Sequence, residues 1–212
     1  MLTRTSRLLV AAASLLLLAL YVLPLWRIEL LAPQYPEGIG MRIRLATVEG
    51  IKPQDLDNIN GLNHYIGMKE IHAEAIPELG FMPWIVGGLV LFGLITAAVA
   101  RRKLLFAWLG AFLALGVAGL ADFYRWAYDY GHDLDPEAII QVPGMSYTPP
   151  IIGTKQLLNF TATSFPDSGA WIAGLAFALG AVALWTSRRA TTRVGALHDV
   201  PARATVRAAV GI

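Results

Sequence analysis

"MPWIVGGLVLFGLITAAVARRKLLFAWLGAFLALGVAGLA", residues 82–121, decides the fold. Two uncharged apolar runs, 82–100 and 104–121, are joined by the basic turn Arg101-Arg102-Lys103. Each run is close to the roughly 20 residues that a bilayer core requires. In lipid every backbone N–H and C=O must be paired within its own segment, so each run reads as a helix and the pair as an antiparallel hairpin.

The rest of the chain repeats this pattern. Residues 8–26 ("LLVAAASLLLLALYVLPLW") and 170–186 ("AWIAGLAFALGAVALWT") are likewise apolar and uncharged. The 212 residues are 56% hydrophobic and only 15% charged, against roughly a quarter charged in soluble domains. Trp26, Trp84, Trp171 and Trp185 stand near the ends of the runs, where interfacial aromatic belts form. The first run has Arg4 and Arg7 before it, as a signal peptide would. Its small residues lie inside the run, however, and no Ala-x-Ala site follows, so it reads as an uncleaved helix.

The charges orient the helices. Ten Lys/Arg and one acid, Asp199, fall to one side of the membrane; seven Lys/Arg and fourteen acids fall to the other. The positive-inside rule places both termini and the Arg-Arg-Lys turn in the cytoplasm. The net charge of +2 sums a basic inside and an acidic outside. The basic residues therefore orient the chain and imply no nucleic-acid partner; membrane lipid is the expected contact.

The expected fold is an all-α membrane protein of four transmembrane helices, with a periplasmic cap formed by two long outer segments. The expected divisions are an N-terminus with helix one (1–26), outer segment one (27–81), the hairpin (82–122), outer segment two (123–169), helix four (170–187) and a disordered cytoplasmic tail (188–212). A minor β contribution is expected at 41–48, where "MRIRLATV" alternates. "QDLDNINGLNHYIGM" reads as one or two short helices broken by Gly61 and Gly67, and "DLDPEAII" as a helix start capped by Asp135. Gly87, Gly88, Gly110, Gly116 and Gly119 read as close helix contacts.

There is no cysteine, yet His64, His72, His132, Met41, Met68 and Met145 all lie in the outer segments. His64, Met68 and His72 are four apart, a spacing that on one helix projects them from one face. Thioether favours Cu(I) and imidazole accepts either copper oxidation state. A thiol-free copper site suits an oxidising compartment. The same residues have a plainer reading, in which histidine and methionine at helical spacing pack and Met68 and Met145 fill irregular gaps. Past helix three, Asp122 and Arg125 are spaced to pair, as part of a polar continuation of that helix. The sharper alternative makes Asp122 a proton site beside a quinol. The chain has no nucleophile elbow, phosphate loop or dinucleotide fingerprint, so a non-enzymatic role is expected.

Three strings add a resemblance: "INGLNHYIGM" (59–68), "DFYRWAYDYGHDLDPEAII" (122–140) and "VPGMSYTPPIIGTKQLLNF" (142–160). They resemble a family of small four-helix membrane proteins associated with bacterial nitrous oxide reductase gene clusters, over about residues 8–186. The resemblance implies a role in copper supply, enzyme maturation or electron delivery. The partners it implies are nitrous oxide reductase, copper chaperones or a cytochrome. It carries over no ligand residues. The motifs hold the outer His and Met residues, so the expected function is a membrane-anchored accessory factor that binds copper on its outer face. His64, Met68 and Met145 are the expected ligands, with His132 or His72 completing the set and Asn63, Tyr65 and Tyr147 supporting it. The rival readings are a metal-free docking scaffold, with 123–130 as the docking surface, and a quinol-linked redox subunit.

Overall fold

The computed structural model describes residues 1–157 and 159–198, with side chains through 187. Four helices are long and apolar enough to cross a membrane. Helix α1 (Arg4–Leu16) begins where the Thr3 hydroxyl accepts the Ser6 N–H, and a tighter turn (Leu17–Tyr21) extends it. Helices α3 (Pro77–Val99) and α4 (Arg102–His132) form the hairpin, and α5 (Ser168–His198) follows. Helix α1 packs between α3 and α5, and α4 completes the bundle against the same two. Leu8, Leu15, Leu91, Phe106, Leu113 and Val117 point outward. That is far more apolar surface than a monomer exposes to water, and it is consistent with lipid contact.

The helix ends differ from the sequence reading. The first helix stops at Tyr21, and Trp26 begins a strand; Pro24 has no N–H to continue the ladder. Helix α3 starts earlier, with Pro77 at its first position, where a missing N–H costs nothing. Helix α4 runs on to His132, past the hairpin boundary at 122 and in line with the polar continuation read after helix three. Its 31 residues span about 46 Å, against about 30 Å of bilayer core, so its last turns extend past the bundle. The backbone of α5 continues past 187 to His198, and the expected disordered tail from 199 onward lies outside the described residues. Among the glycines read as contacts, Gly87 meets the Tyr21 hydroxyl, but Gly88, Gly110, Gly116 and Gly119 face no neighbour. The close approaches occur at Gly93 and Gly180, on either side of Trp108.

The larger correction concerns the all-α expectation. The two outer segments build one five-stranded antiparallel sheet in the order β3-β2-β1-β5-β4. Strands β1 (Trp26–Ala32), β2 (Tyr35–Ile43) and β3 (Val48–Gly50) come from the first segment. Strands β4 (Gly153–Leu157) and β5 (Phe160–Pro166) come from the second. The alternation read at 41–48 catches the end of β2 and the first residue of β3, with a turn between them. The central pairing sets Trp26 opposite Pro166 and Leu31 opposite Thr161, and the Trp26 indole N–H donates to the Ser164 hydroxyl at 2.8 Å. We call this sheet and the elements on it the cap.

Helix α2 (Asp55–Ile66) lies on β2 and turns Ile59 and Ile66 inward. The exposed end of α4 closes over the same side of the sheet with Trp126, Ala127 and Tyr130. A second core results, distinct from that of the bundle: Ile28, Ile39, Met41, Val48, Ile59, Ile71 and Tyr130. Asp55 fixes the entry to α2. It is 3% exposed, and its Oδ2 accepts the Gly40 and Lys52 N–H groups at 3.0 and 3.1 Å. Asp55→Ala strands two backbone donors and is expected to cost about 2–4 kcal/mol, readable as a lowered thermal midpoint. Asp55→Asn keeps an acceptor and should lose less. Equal losses would show that charge, not hydrogen-bond acceptance, is what matters at this position.

Candidate functional site in the cap

The sequence-predicted ligands all sit in the cap, but not on one helix face. Helix α2 ends at Ile66. Gly67 takes a left-handed conformation (φ 79°), and the Met68 N–H turns back to the Asn63 carbonyl at 2.9 Å. Met68 and His72 therefore leave the axis that carries His64. His64 stays on the outer side of α2, exposed, with its ring edge-on to exposed Tyr65. His72 is exposed, and its Nε2 pairs with Glu70 at 2.8 Å. His132, at the end of α4, stacks on Tyr128 with ring centroids 3.8 Å apart. Its Nδ1 lies 3.0 Å from both the Tyr128 carbonyl and the Thr148 hydroxyl. Met145 is half-buried in a turn, its N–H bonded to the Val142 carbonyl.

The two outer segments nevertheless meet at this place. The Ile140 N–H donates to the Tyr65 carbonyl at 2.9 Å, and the Asp135 N–H donates to the Gly67 carbonyl at 2.8 Å. Asp135 caps no helix: 133–150 is a chain of turns, in which the Asp135 carboxylate accepts the Glu137 N–H. Lys69 pairs with Asp133 across the join. That hydrogen bond holds the Lys69 ammonium above its ordinary pKa of 10.5. The Tyr147 N–H bonds to the Gly131 carbonyl at 2.9 Å, which carries the loop under the end of α4.

Behind this clasp lies a cavity of about 80 Å³. Its walls are apolar: Ile28 and Leu30 from β1, Met41 from β2, Ile59 and Leu62 from α2, Ala162 from β5. Met68, Asn63, Trp126, Tyr130 and Tyr147 also line it. Asn63 is committed to the backbone, its Nδ2 donating to the Lys69 carbonyl at 3.3 Å. Two polar atoms are not committed: the Tyr147 hydroxyl and the Trp126 indole N–H are buried without a partner. Tyr147 is only 3% exposed.

Of the predicted residues, the cavity gathers Met68, Asn63 and Tyr147 and leaves His64, His72, His132 and Tyr65 on the surface. It also recruits Met41, which the sequence reading counted among the outer methionines without assigning it a role. The signal was present in β2, where alternation buries Ile39 and Met41 together. Among the described residues no three His, Asp or Glu side chains form a metal-ligand group. The aromatic stretch 123–130 divides. Phe123, Trp126 and Tyr130 pack toward the cap core, while Tyr124 and Tyr128 face out.

Asp122 pairs with Arg125 at 2.8 Å, and Arg125 also reaches Glu78 at 2.9 Å. The group ties the start of α3 to α4 where the helices pass from bundle to cap. Compared with known proteins, the chain matches no protein-family model, and no curated protein matches it.

Proposed function

We propose that this protein is a membrane-anchored accessory factor whose cap binds copper on the periplasmic side and assists the maturation of nitrous oxide reductase. In this reading both termini lie in the cytoplasm and the membrane is the bacterial inner membrane; the distribution of basic residues supports the orientation. The reductase itself enters through the resemblance of the motifs at 59–68, 122–140 and 142–160. The observation that carries the copper reading is the clasp: it sets the segment with Met145 against the end of α2, which carries His64, and the turn after it, which carries Met68. Were the segments apart, no shared site would be available. A membrane-fixed donor with few ligands suits a protein that hands an ion on, because transfer requires exchangeable positions.

The test is Cu(I) competition against a chromogenic chelator, using the full-length protein in detergent. Stoichiometric binding is expected, and binding by His64→Ala/Met68→Ala should fall by at least the 10–100-fold typical of damaged metal sites. If neither protein competes, copper is not its cargo.

The docking-scaffold reading is favoured by a different observation. His72 and His132 already have partners, and Tyr124 and Tyr128 present an outward aromatic pair on α4. Retention of the reductase by immobilised protein, lost on Tyr124→Ser/Tyr128→Ser and independent of copper, would select it. The quinol reading finds less support. A cavity of about 80 Å³ is smaller than the 150 Å³ that accepts one benzene ring, and Asp122 is held by Arg125.

A further inference from the structure

Two thioethers line the cap cavity from separate elements, Met41 on β2 and Met68 on the chain leaving α2. Met41 is 4% exposed. The walls contain no carboxylate, imidazole or ammonium group. We propose that this cavity is a site for a soft monovalent cation, Cu(I) or its analogue Ag(I), bound by the sulfur atoms of Met41 and Met68. The inference deepens the copper reading and rests on it, but it moves the ligands from the surface histidines to the buried methionines.

The chemistry of the walls selects the ion. Thioether sulfur is soft and uncharged, and it favours Cu(I) over the hard cations that require oxygen ligands. With neutral ligands only, the ion keeps its full charge in an apolar setting, and that cost grows steeply with charge, which disfavours a divalent ion. Trp126 and Tyr130, whose rings lie 4.3 Å apart, line the same space and offer π-electron density to a cation. Two sulfur ligands leave Cu(I) open to attack by a third, which is the condition for passing it to another protein.

Packing is the competing role for these residues, since methionine commonly fills core gaps. Leucine separates the two roles, because it keeps the volume and removes the sulfur. The experiment titrates the full-length protein in detergent with Ag(I), and with Cu(I) under anaerobic reducing conditions. Tryptophan fluorescence follows binding, and X-ray absorption identifies the ligand atoms. One ion per chain is expected, with sulfur and no nitrogen in its first shell.

Met41→Leu/Met68→Leu should bind on the order of 100-fold more weakly while keeping the wild-type circular dichroism. If the double variant fails to fold, Met68→Leu alone, at a half-buried position, should still weaken binding. Affinity should stay flat from about pH 5 to about pH 8, where imidazole titrates and thioether does not. Binding that survives the leucine variants, or collapses at low pH, overturns this site and leaves copper handling standing. Failure of wild type to bind either ion overturns both.

Discussion

Trp108→Ala is expected to remove about 3–5 kcal/mol of stability, the range for deleting a fully buried large aromatic. The indole is 0% exposed at the centre of the bundle, and its N–H donates to the Leu89 carbonyl of α3 at 2.9 Å. Its ring fits against Gly93 of α3 and Gly180 of α5. A Cβ at Gly93 would lie 2.7 Å from the indole nitrogen, and one at Gly180 would lie 2.6 Å from the ring. Phe112 meets the indole edge-on and passes the contact to Phe177 of α5. One side chain thus joins three helices. Thermal or denaturant unfolding in detergent measures the effect. Trp108→Phe should retain part of the packing and lose the hydrogen bond, giving an intermediate loss. A wild-type midpoint for Trp108→Ala would contradict the packing described.

Gly67→Val should have the second largest effect, about 2–4 kcal/mol, and it should be local to the cap. A β-branched residue resists φ 79°, and its Cβ would lie 2.9 Å from both the Asp135 carbonyl and Ala138. The clasp bond from the Asp135 N–H to the Gly67 carbonyl would have to shift. Hydrogen exchange should rise across 133–150 and remain unchanged in the bundle. Copper affinity should fall with it if Met145 contributes a ligand.

The neighbouring ion pair offers a contrast. Lys69 is exposed, and its raised pKa means that the pairing with Asp133 is fully present below the ordinary value of 10.5 and is lost only as pH climbs through the folded value. No change in cap stability is expected between neutral pH and about pH 9 on this account. Lys69→Met should scarcely move the thermal midpoint.

The bundle was readable because its signal is compositional. Four uncharged apolar runs stand out whatever their partners, and only their ends were misplaced. Pro24 closes the first helix early, and the polar 122–132 extension carries no hydrophobicity signal to reveal its length. The sheet was hidden because its decisive pairing is remote. "GTKQL" and "FTATSFP" are short, and nothing local says that the second will lie beside "WRIELLA".

The shared helix face expected for the candidate ligands is lost for a similar reason. Spacing of four between His64, Met68 and His72 carries meaning only on a continuous helix, and Gly67 ends it. Asn63 and Tyr147 share the lining of an apolar cavity with Met68. Met41 joined them through a strand that the alternation at 41–48 only partly revealed.

The central pairing of β1 with β5 also governs how the protein is made. Trp26 reaches its partner Ser164 across 138 residues of chain. A ribosome has therefore threaded three of the apolar helices into the membrane before one edge of β1 finds its neighbour. Until then the strand stands half-paired, open to any other extended polypeptide nearby. The cap is closed only as α5 enters, so a stalled or truncated product would carry an unprotected edge, a ready target for quality-control proteases.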